Sequence, residues 1–253
     1  YKRQGLHIHP WNSPPIDHPP NGQIYLFELS DAIMEAKIDF LHNLLKQTFG
    51  VDPVSHRAGR WGFDGRVART LARRRYLVDC SVTPGVSWER YRGDPNCSGG
   101  SDFTDFPYNP YFMDMNDISQ SGQSPMLQVP MTIRPRFNSR ILSIYRKIKD
   151  ARLYSLMERF VAAPYNWLRP NGRNLDRMTS LVDQVLAEGA PVIEFMLHSS
   201  ELMPGGSPIF ATERQIEVLY NHLEALFEHI ASLGAVGMTL AEYRMSGEVL
   251  CVS

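Results

Sequence analysis

The sequence predicts an α/β protein that forms a single domain over residues 1–253. Strand-like apolar runs alternate along the chain with segments whose apolar residues recur at helical spacing. Several runs end in a polar residue and a Pro- or Gly-rich loop, which is typical of strands in a barrel or a doubly wound sheet. A chain of 253 residues is long enough to bury one barrel-sized core, although two small domains also fit this length.

Charge and cysteine content narrow the class of function. Lys and Arg number 26 against 27 Asp and Glu, so nothing favours binding to nucleic acid or anionic membrane, and a neutral sugar suits such a surface. The odd set of Cys80, Cys97 and Cys251 has no metal or disulfide spacing, which indicates a reducing, cytoplasmic location. No apolar run approaches the roughly 18 residues of a membrane helix, and no signal peptide is visible. The first residue is Tyr1 and not Met, so the sequence leaves open whether a leader peptide has been removed.

The first strand is expected to carry two histidines, His7 and His9, in an apolar run. Positions i and i+2 of a strand project to one face, so the two imidazoles are able to converge on one metal ion. Pro10 prevents a helical continuation, which puts the pair where a strand runs out into a loop. Two ligands do not complete a zinc site, so ordinary polar residues at a strand end remain the alternative.

The proline-rich segment from Pro14 to Gly22 carries Asp17 and His18, and it is interpreted as a connector or as a loop folded over a site. Ser30 then caps a helix that ends at Gly50. The residues of this helix predicted to face inward are Ile33, Phe40, Leu41, Leu44 and Leu45.

A strand near Pro53 to His56 leads into a Gly-rich turn that contains Arg57 and Arg60. An arginine at a strand end presents a planar fork that matches a carboxylate, so either residue is able to orient and ionise a catalytic acid. A structural salt bridge explains the same pattern equally well. Asp64 is predicted to cap the next helix, and the arginines at the end of that helix suit its dipole better than they suit nucleic acid.

After a strand at Tyr76–Val82, residues 84–125 form a long polar segment that is expected to be an insertion or a lid loop. Sugars stack their apolar faces on aromatic rings, so the segment is a candidate for substrate specificity. The alternative is that the rings pack the loop onto the domain. Its aromatic residues include Trp88, Tyr91, Tyr108, Tyr111 and Phe112.

The second half continues the alternation. Its predicted elements are a strand at Met126–Ile133, helices at Ser139–Ile148, Arg152–Val161 and Asn174–Glu188, a buried strand at Val192–Leu197, a helix capped by Thr212, a strand at Ala235–Met238 and a helix capped by Thr239. The Thr212 helix is expected to face inward with Ile216, Leu219, Leu223, Phe227 and Ile230. His198 follows the buried strand directly and is therefore a candidate acid or base.

Three segments, Gly5–Pro15, Ser55–Gly62 and Met196–Leu202, resemble successive motifs of polysaccharide deacetylases with a NodB-type domain. The nearest variant is the WalW-like branch, found among bacterial genes for surface polysaccharides such as the O-antigen of lipopolysaccharide. The resemblance spans about Gly5 to Leu240. It implies a distorted (β/α) barrel with fewer strands than a full TIM barrel, and hydrolysis of the amide C–N bond of an N-acetylated amino sugar or polysaccharide precursor.

The resemblance also implies a divalent metal, expected to be zinc, held by one Asp and two His. By motif, His7 corresponds to the first metal histidine and His9 to the second. His18 stays open as the second, because the family usually spaces the pair by four residues. Arg57 or Arg60 corresponds to the arginine that orients the general base. His198 corresponds to the general acid. The aromatic residues expected to contact the sugar are Trp11, Trp61, Trp88, Tyr108 and Tyr111.

One motif of the family is not found. The Asp-Asp pair that supplies the base and a metal ligand is expected before Gly5, where Tyr1 to Gln4 stand. The sequence is therefore a fragment of a longer product, or it has lost these carboxylates, or others replace them. The candidate replacements are Asp17, Asp64, Asp79 and Glu201.

A barrel without its first strand has open edges that a partner chain is able to cover, which leaves homo-oligomerisation open. The alternative function is a catalytically impaired pseudo-deacetylase that binds a glycan or assists assembly. A metal-independent hydrolase of a small cyclic amide is a third reading, but it needs a smaller pocket than residues 84–125 suggest.

Overall fold

The computed structural model describes residues 4–16, 23–93, 96, 99–160 and 162–247. These residues form a mixed α/β fold, as the sequence predicts. The strands are β1 (Leu6–Ile8), β2 (Ser55–Ala58), β3 (Val78–Asp79), β4 (Tyr111–Phe112), β5 (Leu127–Gln128), β6 (Ile133–Pro135) and β7 (Tyr165–Trp167). The helices are α1 (Asp31–Phe49), α2 (Gly65–Arg73), α3 (Ser139–Lys147), α4 (Ala151–Phe160), α5 (Leu175–Ala187), α6 (Glu213–Ser232) and α7 (Leu240–Met245).

The main sheet has the strand order β1-β2-β3-β5-β4. Its first four strands are parallel, and β4 pairs antiparallel with β5 at one edge. Strands β6 and β7 form a separate antiparallel pair. Within the described residues strand pairing thus builds two sheets, so the α/β class is confirmed and barrel closure stays a prediction.

The register of β1 and β2 decides which side chains meet. His7 is paired with Arg57, and the flanking residues Leu6 and Ile8 are paired with His56 and Ala58. Because paired residues of neighbouring strands project to the same face, His7 and Arg57 share one face of the sheet. The other face is buried: the exposed fractions of Leu6 and Ile8 are 1% each.

The main core lies against that buried face. Members of its apolar cluster come from β1, from helices α1, α2 and α5, and from residues 99–133 between β3 and β6. Fully buried members include Ile38, Val67, Leu71, Phe103, Met131 and Val182. The core anchors the strand ends that carry the candidate site.

Helix boundaries agree with the sequence because they depend on local capping. Helix α1 stops at Gly50, whose φ of 68° is a left-handed conformation that glycine adopts without strain. Helix α2 begins after Asp64, whose side chain accepts a hydrogen bond from the Val67 amide at 2.9 Å. Helix α6 begins after Thr212, which forms a capping box with Gln215.

The predicted inward faces of two helices are partly wrong. In α1 the side chains of Phe40 and Leu44 are 43% and 45% exposed, whereas Lys37 is fully buried. Lys37 Nζ donates to the carbonyl oxygens of Ser13 and Pro15 at 2.5 and 2.7 Å, and these contacts turn its side of the helix inward. In α6 the predicted Phe227 is 47% exposed.

Several predicted strands are shorter than expected or absent from the described sheets. The Tyr76–Val82 run forms strand pairs at Val78–Asp79, and the Met126–Ile133 run is divided between β5 and β6. Val192–Leu197 belongs to no strand of the described sheets. Ala235–Met238 is not a strand, and Val236 is 77% exposed. An apolar run becomes a strand only where a neighbouring strand supplies hydrogen bonds, and that neighbour is a tertiary feature.

The 84–125 segment is mostly packed against the domain where it is described. Strand β4 lies within it and pairs with β5, while Phe103 and Met113 are fully buried. The segment therefore adds one short edge strand to the sheet, and its buried residues pack against the domain.

No helix in the described part of the chain has the length and apolar character to cross a membrane.

Candidate functional site

Two imidazole rings converge at the carboxyl end of β1. The Nε2 atoms of His7 and His9 lie 3.0 Å apart. His7 Nδ1 lies 2.8 Å from the carbonyl oxygen of Arg57, so it is the nitrogen that donates, and His7 Nε2 presents its lone pair. Two nitrogens bound to one tetrahedral zinc ion lie about 3.3 Å apart, given Zn–N bonds of about 2.05 Å. The pair is thus close to the geometry of two zinc ligands.

Both histidines are held in the neutral form that binds metal. Protein atoms around the ring lower the pKa of His7, although its side chain remains exposed to solvent. Burial, followed by the neighbouring His7 and His198, lowers the pKa of His9 to about 4. His9 Nδ1 is buried and has no hydrogen-bond partner in the described residues.

His198 comes from the other end of the chain to the same region. It is close enough for its charge to lower the pKa of both His7 and His9. Its amide donates to Glu201 Oε2 at 2.9 Å, and its Nδ1 lies 3.6 Å from the same oxygen. Arg169 Nη2 lies 3.0 Å from Glu201 Oε1 and 3.4 Å from His198 Nδ1. Arg169 and Glu201 therefore hold His198 in place.

Arg57 forms an ion pair with Glu194, since its Nη2 donates to Glu194 Oε1. Burial raises the pKa of Glu194 to about 7, and the positive charge of Arg57 only partly opposes this effect. Glu194 Oε2 is buried and has no hydrogen-bond partner in the described residues. Burial lowers the pKa of Arg57, but the negative charge of Glu194 and the Cys80 sulfur raise it above its usual value. The site thus contains a carboxylate that changes charge near neutral pH.

Arg60 has a different environment. It lies in a short 3₁₀ turn, Gly59–Trp61, and has a positive φ of 53°. Its charge and a hydrogen bond act on Tyr25, whose pKa is nevertheless raised by burial. Of the two arginines that the sequence leaves open, Arg57 is the one that pairs with a carboxylate in the described structure.

The candidate replacement carboxylates have other partners. Asp64 caps α2. Asp79 is fully buried and accepts a hydrogen bond from His56 Nδ1 at 2.6 Å. Glu201 is paired with Arg169, and Asp17 lies outside the described residues.

Glu194 was not among the candidates from the sequence. It sits within an apolar run and reads as an ordinary buried position. Its partner Arg57 is 137 residues away, and no local spacing links the two.

Four tryptophan rings lie near the candidate site residues, one beside His9 and three in a group near Arg57. The Trp11 ring centroid lies 4.5 Å from that of His9. Trp61, Trp88 and Trp167 form a second group, with centroid distances of 6.4, 6.1 and 6.2 Å. The Arg57 guanidinium lies 5.5 Å from the centre of the Trp61 ring. Trp167 and Arg169 were missed from the sequence, because the two-stranded sheet that contains Trp167 was not expected.

Tyr108 and Tyr111 are used in packing. The Tyr111 hydroxyl donates to the Ile118 carbonyl at 2.7 Å, and the ring is buried. The Tyr108 ring lies 5.1 Å from the guanidinium of Arg134. This arrangement matches the alternative in which these rings hold the 84–125 segment in place.

The described residues bring together two candidate metal ligands. They contain no group of three or more His, Cys, Asp or Glu side chains arranged to hold a metal ion. His7 and His9 fit two ligand positions by the distance between their Nε2 atoms and by their neutral charge. His18, the other candidate ligand from the sequence, lies outside the described residues.

Comparison with protein-family models, curated proteins and solved structures returned no match for this chain.

Proposed function

We propose that the protein is a carbohydrate N-deacetylase that removes an N-acetyl or other N-acyl group from an amino sugar during synthesis of a bacterial surface polysaccharide. The observation that carries the proposal is the convergence of His7 and His9 beside His198 and the Arg57–Glu194 pair. Segments that resemble three motifs of one hydrolase family thus contribute to a single site. The same resemblance supports the sugar substrate and its O-antigen-like product.

His7 and His9 are the residues that would hold a divalent metal ion, for which zinc suits imidazole ligands. When bound, such an ion polarises the amide carbonyl and lowers the pKa of a water molecule. Asp17 and His18 are the sequence candidates for completing its ligands.

Glu194 is proposed to take a proton from the attacking water. A pKa of about 7 leaves a large ionised fraction at neutral pH, and the ion pair with Arg57 holds the carboxylate in place. Water adds to the amide carbon, the C–N bond breaks, and acetate and a free amine are released. His198 donates a proton to the departing amine, and its contacts with Arg169 and Glu201 orient it for this step.

The second candidate function is glycan binding without turnover. This function is favoured because the described residues bring together two candidate metal ligands, whereas a catalytic zinc site has three protein ligands. In this case the same rings bind a sugar, and no amine is released.

We assign the reaction to the cytoplasm on the cysteine content. Cys80 is a buried free thiol, and burial raises its pKa to about 12, which makes it unreactive. Cys97 and Cys251 lie outside the described residues.

The test is amine release from N-acetylated amino sugars in free, nucleotide-linked and lipid-linked form, with zinc supplied. We expect the wild-type protein to release amine and His198→Ala to lose this activity about 10²-fold or more, because the leaving amine is no longer protonated. His229→Ala is the matched control, since His229 lies in α6 and pairs with Asp183 of α5. Absence of amine release from every sugar, or full activity in His198→Ala, would contradict the proposal.

A further inference from the structure

A small cleft lies beside the tryptophan group. Its volume is about 270 Å³, near the lower end of ordinary ligand pockets, so it has room for a single sugar ring. Trp61, Trp88 and Trp167 line it together with Arg169 and Arg177. One of these lining residues, Arg169, also contacts His198 at 3.4 Å, which links the cleft to the proposed general acid.

The aromatic lining suits the apolar face of a pyranose. The Trp88 Nε1 donates to Thr83 Oγ1 at 2.8 Å, so this ring is fixed by a hydrogen bond. Trp61 and Trp167 pack against it with centroid distances of 6.4 and 6.2 Å. Three rings held by one another present a preformed stacking surface.

The two arginines that line the cleft differ in whether a carboxylate neutralises their charge. The positive charge of Arg169 is matched by Glu201 at 3.0 Å. Arg177 is exposed at the cleft and takes part in no hydrogen bond or ion pair of its side chain with the described residues. A guanidinium with all of its donors available matches a carboxylate or a phosphate in a bidentate way.

We infer that this cleft binds an anionic sugar, whose carboxylate or phosphate is held by Arg177 while its ring stacks on the tryptophans. The inference rests on the proposed function, because it assigns a substrate class to the same site. Arg169 lines the cleft and also contacts His198, so a sugar bound there lies close to the proposed general acid.

Tryptophan fluorescence tests the inference without requiring turnover. The wild-type protein is titrated with N-acetylglucosamine, N-acetylglucosamine 1-phosphate and N-acetylglucosaminuronic acid. We expect at least one charged sugar to bind about tenfold or more tightly than the neutral one, as a charge-assisted hydrogen bond provides. The sugar that binds more tightly distinguishes phosphate from carboxylate as the recognised group.

Variants of the lining residues test which side chains cause the preference for a charged sugar. Arg177→Gln is expected to bind charged and neutral sugars with about equal Kd, because the amide carries no charge. Arg173→Gln is the matched control, since Arg173 is exposed nearby but does not line the cleft. Trp167→Ala is expected to weaken binding of all three sugars.

The inference is overturned if the wild type binds neutral and charged sugars equally, if none of the three binds, or if Arg177→Gln keeps the preference. Its failure is distinguishable from failure of the proposed function. A charge preference without amine release supports the anionic-sugar cleft and contradicts the proposed deacetylase activity. Amine release without a charge preference supports the deacetylase activity and contradicts the anionic-sugar cleft.

Discussion

Glu194 is a buried carboxylate with a basic partner, and its two oxygens have different environments. Arg57 binds one oxygen, while the other is buried without a partner in the described residues. Desolvation outweighs the ion pair, so the pKa is raised to about 7 instead of lowered. Such a balance is common where a protein needs a base at neutral pH, which is why we assign the residue to catalysis.

This assignment predicts the pH dependence of the reaction. Below about pH 7 Glu194 is protonated and is unable to accept a proton, so the rate of amine release is expected to rise as pH increases through about 7. Glu194→Gln removes the base and is expected to lower the rate about 10²- to 10⁴-fold at every pH. Glu188→Gln, which alters the ion pair with Arg134, is the control. A flat profile between about pH 6 and 8, or an active Glu194→Gln protein, would refute the role.

His9 predicts a second pH effect, on stability. Its pKa falls from 6.5 to about 4 on folding, so the unfolded chain binds more protons between these values. The free energy of unfolding is therefore expected to decrease as pH falls from 6.5 towards about 4. Urea unfolding of His9→Asn at pH values across this window is expected to show a smaller decrease than wild type. His229→Asn should behave like wild type, and an unchanged slope in His9→Asn would count against the neutral pair.

At the scale of elements, two helices are each preceded by a residue type that favours the N-cap position, but only one of these residues makes the cap hydrogen bond. Asp64 precedes α2 and accepts a hydrogen bond from the Val67 amide at 2.9 Å. Ser30 precedes α1, but its side chain makes no cap hydrogen bond. Both were predicted as caps from residue type, and side-chain orientation decides which one acts.

Asp64→Ala is therefore expected to lower the free energy of unfolding by about 1 kcal/mol, because an amide of the first turn loses its partner. Ser30→Ala is expected to change it much less. Urea unfolding at neutral pH measures both variants. Equal losses in the two proteins would show that the cap geometry is not responsible.

Strands were harder to predict than helices for a physical reason. A helix closes its hydrogen bonds within about four residues, so spacing and caps are sufficient to mark α1, α2 and α6. A strand needs a partner from elsewhere in the chain. Ala235–Met238 has the apolar character of a strand but lacks a neighbouring strand in the described structure, whereas Tyr165–Trp167 pairs with β6 despite a weak pattern.

At the scale of the whole molecule, the proposed metal site would couple metal binding to stability, because its two histidines come together only at a folded strand end. Zinc is expected to raise the midpoint of thermal unfolding, because it binds the folded pair of His7 and His9. At a concentration of 100 times Kd the gain is about 2.7 kcal/mol. The increase is expected to disappear in a His7→Asn/His9→Asn protein. A wild-type midpoint that zinc leaves unchanged, or an equal increase in both proteins, would contradict the metal site.

The sequence by itself determined the α/β class, the boundaries of the main helices and the strand end that carries His7 and His9. These features follow from alternation, capping and spacing, which act over a few residues. Only the tertiary structure decided that Arg57 instead of Arg60 meets a carboxylate, that this carboxylate is Glu194, and that Trp167 and Arg169 join the site. Those contacts join residues far apart in the chain, and their free energy depends on burial and register that no local pattern encodes.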